Sequence, residues 1–176
     1  GQEGAIPIID LGDYRRGRAG ALAALSEQLR DALENVGFYV LVNHGVPDEL
    51  IDATFAQAAR FHSQPLEAKM ALRMNEHNNG YMAINRYMVQ TSEVNANDQP
   101  DLNEAFFTKR ERPDSHPGVQ AGRRFVGHNR WPVDLEGFRE AVVRYTDAMD
   151  RLGEQLLPGL ALALDLPADY FRPYFE

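Results

Sequence analysis

The chain has 176 residues, of which 44% are hydrophobic, and this is enough for one domain with a buried core or for part of a larger one. Its 26 acidic residues outnumber 18 basic ones, and the formal net charge of -8 argues against nucleic acid or an anionic membrane as the main partner. Because the sequence contains no cysteine, disulfides, thiolate metal sites and cysteine nucleophiles are excluded. No leader-like segment and no stretch of about eighteen apolar residues stands out, so we expect a cytoplasmic protein.

The first predicted elements surround a short apolar stretch. Residues 5–11 predict a strand whose proline restricts it to a sheet edge or a strand start. Leucines spaced by three and four positions predict an amphipathic helix over residues 21–36, and Gly37 provides its C-terminal stop. Residues 38–42 all favour strands and place apolar side chains on both faces. We therefore expect this strand to be buried above and below in the middle of a sheet, with residues 5–11 and the Phe106 region as candidate partners.

Two more helices and a long irregular region follow. Pro47 and the acids after it predict the first turn of a helix that continues to His62, and Pro65 opens another short helix. Residues 73–133 are rich in turn formers and show strand character only at residues 105–108. Irregular stretches of this length usually bind a ligand or lie on another surface.

The C-terminal part is dominated by one long helix. Asp134 is predicted to cap it, because apolar residues then recur at steps of three and four over residues 135–156. Pro158 and Gly159 are expected to kink or end the helix, and a short terminal segment follows at residues 170–171.

The common nucleotide-binding and catalytic motifs are missing from the sequence. Neither glycine-rich phosphate loop occurs, and the serine nucleophile elbow does not occur either. No histidine has an acid two residues later, and no pair has the i, i+4 spacing of a helical zinc site. We expect His44 to be a structural turn residue, His62 to interact with the C-terminus of its helix, and His77, His116 and His128 to be solvated.

The best set of polar and aromatic side chains for contacting a ligand follows an Asn-Asn-Gly turn. It consists of Tyr81, Asn85, Arg86 and Tyr87. The rigid guanidinium fork of Arg86 suits a carboxylate, so we predict that this set binds substrate. The alternative is a surface arginine beside two half-buried tyrosines. A second basic group, Arg123, Arg124 and Arg130, is interpreted as a solvated loop.

The order of several short segments is recognisable. In chain order the segments are Ile6-Pro7-Ile8-Ile9-Asp10-Leu11, Gly37-Phe38-Tyr39-Val40-Leu41-Val42-Asn43-His44-Gly45-Val46-Pro47, Phe61 with Pro65-Leu66-Glu67-Ala68-Lys69, Gly80-Tyr81, Glu104-Ala105-Phe106-Phe107 and Asn129-Arg130-Trp131-Pro132. Together they resemble the N-terminal region of the isopenicillin N synthase-like iron and 2-oxoglutarate-dependent oxygenases. The helix from Asp134 resembles the backbone helix of that family. Each segment is weak alone, but the combination is specific and covers nearly the whole chain.

The resemblance implies an α+β fold: a mainly helical N-terminal region with a few strands that would complete a double-stranded β-helix, or jelly roll, supplied by an absent C-terminal half. In that family a His-x-Asp and a distal His hold iron, and an Arg-x-Ser holds 2-oxoglutarate. Neither motif occurs in this sequence. We therefore expect no catalytic residue, no metal ligand and no bound cofactor in this chain, whereas Fe(II) and 2-oxoglutarate are implied for the complete enzyme.

The resulting hypothesis is that residues 1–176 form the N-terminal scaffold and substrate-cap domain of a non-haem dioxygenase that oxidises a small organic substrate. Its expected partner is the missing C-terminal catalytic domain, or a second copy bound through exposed apolar surface. The alternative is a non-catalytic binding or interaction module derived from that family. A third hypothesis, an iron site assembled across chains from His44, His77 or His128, has no supporting spacing.

Overall fold

The computed structural model describes residues 5–85, 88 and 99–175, and these form helices with a few short strands. The described strands are β1 (Ile8–Asp10), β2 (Val40–Val42), β3 (Gly80–Met82) and β4 (Ala105–Phe107). The described helices are α1 (Gly12–Arg15), α2 (Ala21–Asn35), α3 (Asp48–His62), α4 (Leu66–Ala71), α5 (Pro117–Gln120), α6 (Phe138–Ala163) and α7 (Arg172–Phe175). The mixed, mainly helical composition that the sequence predicts is confirmed.

The chain divides into two compact units. The first unit consists of residues 1–48 and 147–176, and the second unit consists of residues 49–146. Helix α6 contributes its first turns to the second unit and the remainder to the first. Among the described helices, none has the length and apolar character that a membrane crossing requires.

The first unit is built on a two-stranded parallel sheet. Strands β1 and β2 pair in the register Ile8 to Val40, Ile9 to Leu41 and Asp10 to Val42, which confirms residues 5–11 as a partner of the second strand. Ile9 and Leu11 are buried, whereas the alternate residue Ile8 is exposed. The sheet therefore has one covered face and one open face.

Helices α2 and α6 contribute to the core of the first unit. Helix α2 buries Leu25, Leu29 and Ala32, as its leucine spacing predicts. Gly159 of α6 faces these leucines so closely that a Cβ there would lie 3.1 Å from Leu29 Cδ1. At the surface, the Arg30 guanidinium donates to both carboxylate oxygens of Asp165, which follows α6, at 2.6 and 3.1 Å.

The expectation that β2 lies buried in the middle of a sheet is wrong for this chain. Within the described residues β2 pairs with β1 alone, and the side chains of Val40 and Val42 are exposed. The Phe106 region is not its partner, since β4 pairs antiparallel with β3 instead. A run of apolar residues in a strand indicates that its side chains are buried, but it does not indicate which segment covers them.

The second unit encloses an aromatic core. Phe61 at the end of α3, Tyr81 on β3 and Phe138 at the start of α6 are buried together. Phe106 of β4 completes the cluster, with its ring centroid 4.5 Å from that of Phe61 and 5.4 Å from that of Phe138. These tilted and edge-on ring pairs add to the free energy gained by burying the rings.

Three boundaries differ from the predictions. Helix α6 begins at Phe138 and not at the predicted cap Asp134, because Gly137 adopts a φ of +80° that ends a preceding turn. Of the two outcomes expected at Pro158, a kink or an end, the end is wrong, because the same helix continues to Ala163. Helix α5 forms within the region 73–133 that was predicted to be irregular, and the His116 side chain accepts a hydrogen bond from Gly118 N–H at its N-terminus.

Candidate functional site

Tyr81, the first residue of the predicted substrate-binding set, lies inside the second unit. Tyr81 is only 1% exposed, and its ring packs edge-on against the Phe61 ring with the two centroids 5.9 Å apart. Its hydroxyl donates a hydrogen bond to Glu104 Oε2. The structure thus gives Tyr81 a place in the core, and direct contact with substrate stays a prediction.

The remaining members of that set are described only in part. Asn85 lies at the end of the segment that follows β3, with a φ of +61° and its backbone N–H bonded to Asp101 O at 3.2 Å. The structure does not bring the Asn85 side chain into a described contact with Tyr81. Arg86 and Tyr87 fall outside the described residues. Substrate binding by these three residues remains a prediction.

A cluster of ionisable groups surrounds the Tyr81 hydroxyl. Lys69 of α4 is 8% exposed, and its Nζ donates to the two carboxylate oxygens of Glu104 at 2.8 and 3.1 Å. The same Nζ also donates to the backbone oxygen of His62 at 3.1 Å. His62 Nδ1 lies 3.0 Å from Glu104 Oε1. Glu104 directly precedes β4 and therefore links that strand to α3, α4 and β3. We call His62, Lys69, Tyr81 and Glu104 the Glu104 cluster.

The electrostatics of the Glu104 cluster follow from these contacts. Hydrogen bonds from Lys69 first, and then from Tyr81, lower the pKa of Glu104 to about 2. The hydrogen bond to Glu104 raises the pKa of Lys69, so the ammonium form is favoured although the residue is buried. Burial, and then the bond to Glu104, raise the pKa of the Tyr81 phenol. The cluster is therefore an ion pair with a neutral phenol donor at neutral pH.

The pairing of Lys69 with Glu104 was not predicted from the sequence. Lys69 belongs to the short helix that Pro65 was predicted to open, but its ion-pair partner is 35 residues away in the chain. Each residue belongs to one of the segments that carry the family resemblance. Their presence in these segments was the one indication in the sequence that both residues matter, because hydrophobic periodicity does not indicate contacts between elements so far apart.

The histidines are engaged in local structure. His44 Nδ1 accepts a hydrogen bond from Val46 N–H at 3.1 Å, which confirms the prediction of a structural turn residue. His62 lies in the last turn of α3, where it was expected, and its Nδ1 also contacts Glu104. The prediction of a solvated His116 is wrong, since it caps α5. His128 is exposed and its Nε2 lies 3.0 Å from an Asp114 carboxylate oxygen.

His77 is also more enclosed than the sequence predicted. Its ring lies against Gly127, where an added Cβ would overlap it, and its Nδ1 is buried with no hydrogen-bond partner among the described residues. The neighbouring Asn79 is fully buried and its side-chain amide donates to the backbone oxygens of Gly127 and His128 at 2.9 and 3.0 Å. These contacts fasten residues 127–128 to the turn before β3.

The second basic group is not uniformly solvated. Arg130 donates to the backbone oxygens of Arg73 and Ala71 at 2.7 and 2.9 Å, so it fixes the chain after α4. Arg124 instead stacks on the exposed Phe125 ring at 4.6 Å from its centroid. The prediction of a solvated loop is wrong for Arg130.

The described residues do not assemble a metal centre. Over residues 5–85, 88 and 99–175 there is no group of three or more His, Cys, Asp or Glu side chains that could hold a metal ion. The Glu104 carboxylate is occupied by Lys69 and Tyr81, so its charge is already balanced. A facial triad of two histidines and a carboxylate therefore does not fit this part of the chain.

Comparison with known proteins identifies the family. A protein-family profile described as the N-terminal part of a non-haem dioxygenase in morphine synthesis matches residues 6–134. The "2-oxoglutarate-Fe(II) type oxidoreductase hxnY" of Emericella nidulans is 33% identical over 177 aligned residues, which are 98% of this chain and 49% of that protein. "Validamycin A dioxygenase" of Streptomyces hygroscopicus subsp. limoneus is 31% identical over 98% of this chain and 47% of its own length.

Solved structures agree with the sequence comparison. A Caulobacter crescentus protein attributed to the 2-oxoglutarate-Fe(II) oxygenase family superposes with a TM-score of 0.76 at 26% identity, covering 96% of this chain and 52% of that chain. The chain thus spans about half the length of the curated relatives and solved structures that it matches. These matches confirm the resemblance, and the chain belongs to the N-terminal domain family of the non-haem, 2-oxoglutarate- and Fe(II)-dependent oxygenases.

Proposed function

We propose that this chain is the N-terminal scaffold and substrate-cap part of a non-haem oxygenase that uses Fe(II) and 2-oxoglutarate to oxidise a small organic substrate. The observation that carries this proposal is the coverage of the matches. The chain aligns over almost all of its own length, but over only about half of each relative. A catalytic half outside residues 1–176 would account for the difference.

The open sheet of the first unit supports a missing neighbour. Parallel sheets are normally covered on both faces. Here Ile8, Val40 and Val42 leave one apolar face of the β1–β2 sheet exposed. We assign the cover of this face to the jelly-roll core of the catalytic half.

The cofactors are assigned to that same half. The described histidines are held by local contacts, such as His44 on Val46 N–H and His62 on Glu104, and none of them converges with a second histidine and a free carboxylate. Iron in such an enzyme supplies the activation of dioxygen. The role proposed for this chain is to shape and dry the substrate cavity.

The proposed substrate cap begins at β3. The Glu104 cluster fixes Tyr81, and the β3–β4 ladder fixes Gly80 and Met82 on either side of it. The segment that carries Asn85, Arg86 and Tyr87 therefore follows, in the sequence, a strand that is held by hydrogen bonds. A rigid support of this kind is what a substrate-orienting segment needs, because misplacing it would cost catalytic rate.

A second function from a different class is a non-catalytic binding module. It is favoured by the same open sheet face, through which two copies could associate in the absence of a catalytic half. Sedimentation over a range of protein concentrations tests this reading. A dimer that forms reversibly and is lost when Val40 is replaced by Glu is expected of a fragment whose sheet face is uncovered, whereas a stable monomer at all concentrations would favour a self-contained module over a fragment. A cytoplasmic location is proposed for either function.

The experiment that tests the oxygenase proposal compares the 176-residue chain with a protein extended beyond Glu176. Isothermal titration calorimetry with Fe(II) and with 2-oxoglutarate under anaerobic conditions is expected to show binding to the extended protein alone. The extension is expected to contain His-x-Asp, a distal His and Arg-x-Ser. Micromolar binding of either cofactor to the 176-residue chain would overturn the proposal.

A further inference from the structure

The Asn43-His44-Gly45 turn after β2 forms one wall of a cavity that the proposed oxygenase role does not use. The cavity has a volume of about 410 Å³ and lies within the first unit. Its lining consists of Gly12, Arg15, Arg16, Asn43 and Gly45. Two guanidinium groups thus line the same small space, beside an amide side chain and two glycines.

Two of the hydrogen bonds that hold the turn involve Asp10 and no guanidinium group. Asp10 Oδ1 accepts hydrogen bonds from Gly12 N–H at 2.7 Å and from the Asn43 side-chain amide at 2.8 Å. Asn43 and Gly45 both have positive φ angles, of 53° and 79°. The cavity wall is therefore defined before any ligand arrives, because two local hydrogen bonds and a tight turn fix it.

Arg15 is the group in this cavity whose charge is not balanced. Its Nη1 donates to the backbone oxygen of Asn43 at 3.1 Å, which uses one of the five N–H donors of a guanidinium. The planar group lies against Gly45, where an added Cβ would overlap it. Within the described residues Asp13 pairs with Arg16 and Arg18, Asp10 bonds Gly12 and Asn43, and Arg15 forms no ion pair.

The local charge count supports an anion. Asp13 is shared by Arg16 at 2.6 Å and Arg18 at 3.2 Å, so one carboxylate faces two cations there. Asp10 is held as a carboxylate, because hydrogen bonds from Asn43 and Gly12 lower its pKa. The residues that line the cavity include two arginines and no carboxylate, although the whole chain carries a net charge of -8. The positive charge is therefore a local feature of this cavity.

We propose that the cavity binds a small oxyanion, a carboxylate or a phosphate group. The fork of the Arg15 guanidinium would hold two of its oxygens, as such groups do in bidentate pairs. The Arg16 side chain and the second N–H of the Asn43 amide would provide further donors. A Cβ at Gly45 would overlap the Arg15 guanidinium, and a Cβ at Gly12 would lie 3.0 Å from Arg16 Nη2. The source of the oxyanion is either a free small acid or phosphate, or a carboxylate side chain of another protein segment.

The test titrates three probes into the 176-residue chain: inorganic phosphate, acetate, and glutamate blocked at both ends as a stand-in for a protein side chain. Amide ¹⁵N–¹H shifts of Gly12 and Gly45 report on the cavity directly, and sodium chloride keeps the ionic strength constant. We expect saturable shifts at both glycines with millimolar or tighter binding. The probe that binds most tightly identifies the source.

Three variants separate this site from general charge effects. Arg15→Gln removes the fork and is expected to weaken binding roughly tenfold, because a hydrogen bond to a charged group is lost. Arg15→Lys keeps the charge without the fork and is expected to weaken binding by a smaller factor. Arg151→Gln makes the same charge change at an exposed helical arginine that does not line the cavity, and is expected to leave binding unchanged. Absence of saturable shifts, or equal binding by the wild-type chain and both Arg15 variants, would overturn the proposal.

Discussion

The two units of this chain differ in where they place charged groups. The second unit buries the ammonium group of Lys69 beside an aromatic core and balances it with Glu104. The first unit keeps its ion pairs at the surface and leaves Ile8 67% and Val40 46% exposed. A buried charge is tolerated because its partner lies in the same chain. Within the described residues, the exposed apolar face of the β1–β2 sheet has no comparable partner.

The aromatic core of the second unit is expected to give the largest effect. Phe61→Ala removes a fully buried ring that contacts Tyr81, Phe106 and Phe138. We expect the free energy of unfolding to fall by roughly 3–5 kcal/mol, from lost transfer energy and a new cavity. The control is Phe55→Ala on the same helix, which is 71% exposed and should cost less than about 0.5 kcal/mol. Urea unfolding measures both, and equal losses would contradict the assigned core.

Breaking the Glu104 cluster is expected to give the next largest effect. Glu104→Gln leaves the Lys69 ammonium buried without its counter-charge, and should cost about 2–4 kcal/mol of unfolding free energy. The matched control is Glu111→Gln, because Glu111 is similarly exposed and also bonds an aromatic donor, Trp131, and a cation, Arg139. Arg139 is exposed, so the control should cost about 1 kcal/mol or less.

A double-mutant cycle with Lys69→Met sharpens this prediction. Removing both charges together should cost less than the sum of the single changes by about 1–2 kcal/mol, because no charge is then left unpaired. Additive costs would show that the two groups act independently and that the cluster is not an ion pair.

The acid dependence of stability follows from the same residue. The pKa of Glu104 is about 2 in the folded chain and 4.5 is its ordinary value, so the unfolded state binds more protons between these limits. The stabilisation is therefore complete above about pH 5 and is lost as the pH falls towards 2. The free energy of unfolding should lose roughly 2 kcal/mol more between pH 7 and pH 3 in the wild-type chain than in Glu104→Gln. Parallel pH profiles for the two proteins would contradict the lowered pKa.

Two glycines with the same backbone conformation test the first unit's cavity. Gly45 and Gly20 both have a φ of +79°, but a Cβ would meet the Arg15 guanidinium at Gly45 alone, while Gly20 has open space. Alanine at either position should cost about 1 kcal/mol of stability through the left-handed conformation. Only Gly45→Ala should also move Arg15 and weaken oxyanion binding, which the amide shift titration measures. Equal binding by both variants would show that the contact with Arg15 is not needed.

The regular elements were largely predictable because they depend on neighbours in the sequence. The leucine spacing gave α2 almost to its ends, and Pro65 marked the residue before α4. Strand β3 was missed because Gly80 follows a run of turn-forming residues, and its strand pairing comes from a segment more than twenty residues later. The start of α6 was misplaced since the spacing of apolar residues extends into a turn that Gly137 closes.

The sites were less predictable because they depend on contacts between distant residues. Tyr81 was selected as a polar aromatic residue near a turn, but its hydroxyl is directed to Glu104, 23 residues away. The Asn43-His44-Gly45 turn was recognised, yet its contacts with Asp10 and Arg15 follow from the parallel pairing of β1 with β2. A sequence motif indicates that a turn forms, but the pairing of its strand with another strand determines which side chains contact the turn.

The open sheet face is expected to give the smallest effect in this chain and therefore the most informative one. Ile8 and Val40 are cross-strand partners with exposed side chains, so Ile8→Thr and Val40→Thr should each change the free energy of unfolding by less than about 0.5 kcal/mol. Ile9→Thr, on the buried face of the same strand, should cost more than about 2 kcal/mol and serves as the control. If a catalytic half covers the sheet, the same two exposed-face changes in a protein extended beyond Glu176 should each cost about 1 kcal/mol or more, because a hydroxyl would then be buried against apolar atoms. Equal, near-zero costs in both proteins would show that this face stays in contact with solvent, and the coverage of the relatives would then need a catalytic half that attaches elsewhere.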